Sequence, residues 1–162
     1  MAVRITTNPE RADAMWRVTG YAMCNLFLTM QQGFTSGGLK LGPVELQIFV
    51  TVAVANIQKL MRERTVPPEH SGKDALPAEF IVPISRNAIA SATGLPRETV
   101  RRQVEKLIAR GVLVEDPRGG VRTVPDMVTK LGLGETMDPI LAEFARAADA
   151  LLRQGILEAH PA

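Results

Sequence analysis

With 162 residues, 46% hydrophobic and 22% charged side chains, the chain has apolar material for one compact core or for a small module with an oligomerisation extension, which excludes disorder throughout. A single cysteine, Cys24, excludes an internal disulfide framework and a cysteine-rich zinc site, and its apolar neighbourhood predicts a buried, inert thiol in a reducing cytoplasm. The net charge of +2 is unevenly spread: residues 85–124 hold eight Lys or Arg against four Asp or Glu, a basic field suited to a polyanion such as the DNA backbone.

The N-terminus lacks the basic-then-apolar pattern of a secretory signal. Asn8-Pro9-Glu10 is a helix start, with an N-cap, a proline at the first helical position and an acid near the positive end of the dipole. Met15, Val18, Ala22, Leu26 and Met30 then recur at helical spacing, so one helix is predicted over residues 9–31. The glycines of residues 33–42 predict a loop. Pro43 opens a second helix, to about residue 64, with Leu46, Phe49, Val52, Ala53, Ile57 and Leu60 on its apolar face. Arg17 and Asn25 interrupt the first apolar window, and Glu45, Gln47 and Asn56 the second, so neither reads as a membrane span.

Residues 65–79 carry three prolines, polar side chains and no apolar period, the mark of a mobile loop. Phe80-Ile81-Val82 predicts a short strand able to pair with a later hairpin. Ser85 caps a short helix over residues 85–93 with Ile89 as its core residue; Gly94-Leu95-Pro96 is the tight turn, and a second helix spans about residues 96–110. That helix buries Val100, Val104, Leu107 and Ile108, leaving Glu98, Arg101, Arg102, Glu105 and Lys106 outward. Gly111 ends it. Residues 112–114 and 121–124 flank the turn signal Pro117-Arg118-Gly119-Gly120 and predict a hairpin with Arg118 near its tip. The expected fold is mainly α with a small β-hairpin wing: a winged helix-turn-helix over residues 80–124, with flanking helices for dimerisation at residues 1–64 and 125–162. In the latter region a short helix is predicted near residues 125–133, and Asp138-Pro139 starts a closing helix to about residue 154.

From Ile84 to Ala90 and from Gly94 to Arg102 (GLPRETVRR) the chain resembles the DNA-binding domain of the catabolite activator (cyclic-AMP receptor) family, over about a quarter of its length. The resemblance implies that Arg97 and Arg102 read guanines, that Glu98 accepts from a cytosine amino group, and that Arg86 and Thr99 hold phosphates. A guanidinium does present two donors to guanine N7 and O6. Ser85, Arg101, Lys106, Arg118 and Arg122 complete the expected DNA-contacting set. Pro96 and Arg101 depart from that family's pattern, and nothing upstream resembles its cyclic-nucleotide barrel. The order of helices looks more like the multiple-antibiotic-resistance (MarR-type) regulators, which dimerise through their terminal helices.

Met15, Trp16, Met23, Phe27 and Met30, with the apolar face of residues 140–152, are expected to form a homodimer interface. An ordinary intrachain core is the alternative. A small-molecule effector is compatible with this plan, but no polar constellation identifies one. His70 and His160 are isolated, and no metal-ligand spacing, phosphate loop or nucleophile motif appears, so no enzyme activity, metal or cofactor is expected. The expected function is sequence-specific binding of double-stranded DNA by a dimeric transcriptional regulator. The alternative is a winged helix serving plasmid or phage replication or partition, or acting through protein contacts.

Overall fold

The computed structural model describes residues 3–62 and 66–161. The protein is mainly helical, with two small antiparallel sheets of two strands each, and it divides into two compact units. One unit joins the two ends of the chain (residues 1–33 and 135–162); the other is residues 34–134. The sequence predicts a boundary near residue 64 instead, and two long-range pairings explain the difference: the chain ends zip together, and the 43–61 helix packs with the helices and hairpin of residues 86–123.

In the terminal unit, β1 (Val3–Thr7) pairs antiparallel with β4 (Leu157–Pro161), in the register Val3 to Pro161 through Thr7 to Leu157. Nothing in the local pattern of residues 155–161 announces this strand. Asn8 secures the corner: its backbone N–H donates to Ile156 O (2.9 Å), its Oδ1 caps α1 (Pro9–Ala14) by accepting Arg11 N–H (3.0 Å), and its Nδ2 donates to Glu158 (2.9 Å). The single helix expected over residues 9–31 is two. The chain leaves helical geometry at Met15 (φ −112°, ψ 38°) and resumes as α2 (Trp16–Ser36), while Thr19 Oγ1 donates to Ala12 O and Met15 O across the break.

This helix runs through Gly33, where the sequence predicts a loop. A Cβ there would lie 3.3 Å from Ile140 and Thr136, so this glycine serves the close approach of α8 (Leu133–Arg153), not a turn. That closing helix begins before Asp138 and carries Pro139 inside it. Ala22, Ala147, Leu151 and Ile156 form the unit's core. Cys24, expected to be buried, is exposed because it lies on the face of α2 turned away from this core.

In the central unit, α3 (Pro43–Met61) is the hub, burying Ile48, Phe49, Val52 and Leu60. By length and composition it is the one helix among the described residues that would suffice to cross a membrane; here it packs against the later helices and the hairpin. Residues 63–64, the end of the predicted helix, and Thr65 lie outside the described residues. The stretch expected as a mobile loop contains the one-turn α4 (Pro68–Ser71), and a 3-10 turn at Ala78–Phe80 replaces the predicted strand. The pairing with the hairpin comes two residues later, at the Ile84–Val121 bridge. Val82 is held by Asn56 of α3: its N–H donates to Asn56 O (2.9 Å) and its carbonyl accepts from Asn56 Nδ2 (2.8 Å).

Next come α5 (Arg86–Thr93), α6 (Arg97–Ala109), the hairpin of β2 (Leu113–Glu115) and β3 (Val121–Thr123), and α7 (Met127–Lys130). Ile89, Val100, Val104, Leu107, Leu113 and Val121 are almost fully buried between them and α3. Each contributes about 1.5–3 kcal/mol by leaving water.

Candidate nucleic-acid interface

The α5 helix starts as its sequence dictates. Ser85 Oγ accepts Ala88 N–H at 3.1 Å, satisfying one of the donors a helix start leaves open. It ends on Gly94 in the left-handed region (φ +70°), whose N–H donates to Ala90 O. Thr93 Oγ1 latches the turn, donating to Ile89 O (2.7 Å) and accepting Leu95 N–H (3.3 Å). Pro96 then launches α6 with its ring in place of a side-chain cap. Burial of Val100, Val104 and Leu107 along one stripe leaves Arg97, Glu98, Arg101, Arg102, Glu105 and Lys106 exposed. Thr99 is half-buried.

The hairpin is docked by contacts more than thirty residues apart in the chain. The Ile84–Val121 bridge has N–H to O distances of 3.0 and 2.9 Å. Gly120 (φ +82°) passes so close to it that a Cβ would lie 2.7 Å from Ile84 O. Asn56 reaches from α3 to accept Thr123 N–H at 2.9 Å.

The charges sort into committed and available groups. Arg101 bridges Glu98 and Glu105 on the surface of α6, and this hydrogen bonding holds the Glu98 carboxyl below its ordinary pKa and raises that of Arg101. Arg86 is paired with Glu115 of β2. Lys106 and Arg110 converge on buried Glu45 of α3 at 2.7 and 3.1 Å. Burial pushes the Glu45 carboxyl up, but the Lys106 hydrogen bond, the Gly42 N–H and the two cations outweigh it and hold it below the ordinary value.

Arg118 is not a free wing tip. It folds back on Asp116, with its Nε 2.8 Å from Oδ1, and donates to Ile81 O; Arg122 engages the other carboxylate oxygen at 3.1 Å. The Arg118 side-chain hydrogen bond is the largest of the interactions that hold Asp116 well below the usual carboxylate range. Of the eight basic residues in this segment, Arg97 and Arg102 have no ion-pair partner among the described residues.

No protein-family model, curated protein or solved structure matches this chain.

The structure therefore brings Arg97, Glu98, Arg101 and Arg102 together on one exposed helix, with Ser85 and Arg86 at the start of the helix before it. It assigns Lys106, Arg118 and Arg122 to internal pairs. Two residues that organise the site, Glu45 and Asn56, are in the sequence alone only interruptions of an apolar window. Asp116 is legible there, since an Asp before Pro-Arg-Gly-Gly is suited to capping a turn with its own carboxylate. Among the described residues no group of three His, Cys, Asp or Glu side chains is placed to hold a metal ion.

Proposed function

We propose that residues 84–124 are a winged helix-turn-helix that reads double-stranded DNA with α6 in the major groove, within a dimeric transcriptional regulator acting in the cytoplasm. The observation that carries this reading is the exposed face of α6, where Arg97 and Arg102 have no ion-pair partner within 4 Å among the described residues, on a helix fixed from behind by α3, α5 and the hairpin. A guanidinium without a carboxylate partner meets guanine N7 and O6 without first giving up an ion pair. The Glu98–Arg101 pair is exposed, and such pairs hold little free energy, so Glu98 is released toward a cytosine amino group when a base edge arrives. The resemblance of this segment to the catabolite activator family supports the same reading set.

The dimer rests on the terminal unit. Trp16, Met23, Phe27 and Met30 recur along α2 at spacings of seven, four and three, and Leu141 and Phe144 add to them on α8; all six are exposed. A second copy covers such a stripe in the manner of a helical seam and sets two recognition helices on one duplex. Selection of bound sequences from random DNA tests the proposal. A two-fold symmetric site is the expected result; no enrichment at low salt would sink the proposal. Sedimentation of Phe27→Glu is expected to give a monomer with weakened DNA binding, and an unchanged mass would remove this interface.

A further inference from the structure

The central unit contains a cavity of about 410 Å³ that none of the DNA-reading residues of α6 lines. Its apolar walls come from the C-terminal half of α3 (Ile57, Leu60), the segment before the 3-10 turn (Leu76), the residue after β3 (Val124) and α7 (Met127, Val128). Leu60 is buried, but the other five stay half-buried, so the fold gathers apolar side chains from four parts of the chain without covering them. Packed interiors leave few voids, and a volume of this order is that of sites enclosing a small organic ligand, roughly 300–1,000 Å³.

The charged lining residues cancel, Lys73 and Arg122 against Asp74 and Asp126, and three of the four engage groups that do not line the cavity. Arg122 pairs with Asp116 at 3.1 Å, Asp126 faces Lys130 at 3.9 Å, and the Lys73 ammonium lies against Gly134. Asp74 is exposed, where water already serves its charge. An ion entering this chamber would therefore shed its hydration without gaining a desolvated opposite charge. Among the neutral polar groups, Asn56 and Thr123 are spent on each other and on Val82, and Ser71 Oγ donates to Pro68 O. His70 differs: its ring stacks on Phe80 at 4.4 Å, and its nitrogens have no hydrogen-bond partner among the described residues.

We infer that this cavity binds an uncharged, mainly apolar small molecule, its body against Leu60, Leu76, Val124 and Met127 and a single hydroxyl or carbonyl group at His70. A neutral imidazole donates from one nitrogen and accepts at the other, so it can meet either group. Thr123 of β3 and Val124 after it both line the cavity, so the occupant lies against the end of the hairpin. On the proposed DNA reading the ligand is an effector of the wing; its capture does not depend on that reading.

The test uses the whole protein labelled with ¹³C at methionine methyls, titrated separately with phenethyl alcohol, ethylbenzene, phenylacetate and phenethylammonium. Met61 and Met127 line the cavity, whereas Met23, Met30 and Met137 are exposed on helices of the terminal unit. The expected result is a saturable shift of Met61 and Met127 with the alcohol while the other three stay still, and binding of both ions at least about ten-fold weaker. His70→Leu is expected to weaken the alcohol about five-fold and to leave ethylbenzene, which lacks the hydroxyl, within about two-fold. Either ion binding less than ten-fold weaker than the alcohol would overturn the inference, as would shifts confined to Met23, Met30 or Met137, or no saturable shift. An equal loss of alcohol and hydrocarbon in His70→Leu, or none, would overturn the place given to His70. Because capture is read without DNA, its failure leaves the DNA proposal standing, and failure of DNA selection leaves the capture standing.

Discussion

Replacing Asn56 by Leu keeps the number and branching of the heavy atoms in a fully buried side chain and removes its hydrogen bonds, so it tests what that polar group does. The Thr123 N–H that Asn56 Oδ1 accepts at 2.9 Å is buried, and leaving it unpaired costs about 1–3 kcal/mol. The Val82 carbonyl, 2.8 Å from Asn56 Nδ2, is only partly buried and loses about 0.5–1.5 kcal/mol. Together the substitution removes roughly 1.5–4.5 kcal/mol, and Asn56→Ala more, because it also opens a cavity. Trp16, the one tryptophan, lies in the terminal unit, so its fluorescence is the wrong probe. The informative assay is hydrogen exchange at residues 121–124, alongside urea unfolding monitored by circular dichroism. Asn56→Leu should expose the Thr123 amide and lower the midpoint, while Gln58→Leu, on the exposed face of the same helix, should change stability by no more than about 0.5 kcal/mol. If Asn56→Leu leaves Thr123 protected and stability within that margin, the argument that this side chain fastens the hairpin to α3 is wrong.

Arg102→Ala is expected to cost about 1–3 kcal/mol of DNA affinity and to relax preference at one base pair, measured by competition with singly substituted sites; an equal loss on every sequence refutes base reading. Arg118→Ala should instead speed hydrogen exchange at residues 116–120 without altering which base is preferred, and a changed base preference would count against its internal role. Because the Asp116 carboxyl titrates below its unfolded value of about 3.9, its contribution is present above that pH and lost as the pH falls toward the depressed folded value. Asp116→Asn should therefore be less stable than the parent at pH 7, with the gap closing only below about pH 4; a gap that closes near neutrality contradicts the pairing. Gly120→Ala must hold φ near +82° and drive a Cβ against Ile84 O, so a loss of at least roughly 1–3 kcal/mol is expected in denaturant unfolding. A silent substitution would show that the bridge yields.

What the sequence determined by itself was local. The spacing of Val100, Val104 and Leu107, the Ser85 cap, the left-handed Gly94 and the Pro117–Gly120 turn each depend on residues within a turn or two of one another. Their physics is complete within such a window, and the helix–turn–helix–hairpin order came from them. The tertiary structure decided the rest, because it depended on partners far along the chain. Gly33 reads as a loop former until Ile140 and Thr136 are found against it, and residues 157–161 read as a tail until β1 lies alongside. Lys106, Arg118 and Arg122 look like DNA contacts until Glu45 and Asp116 claim them. A charge shows in the sequence, but whether it is free depends on which opposite charge the fold brings within a few ångströms, and by that measure the candidate set narrowed to Arg97 and Arg102.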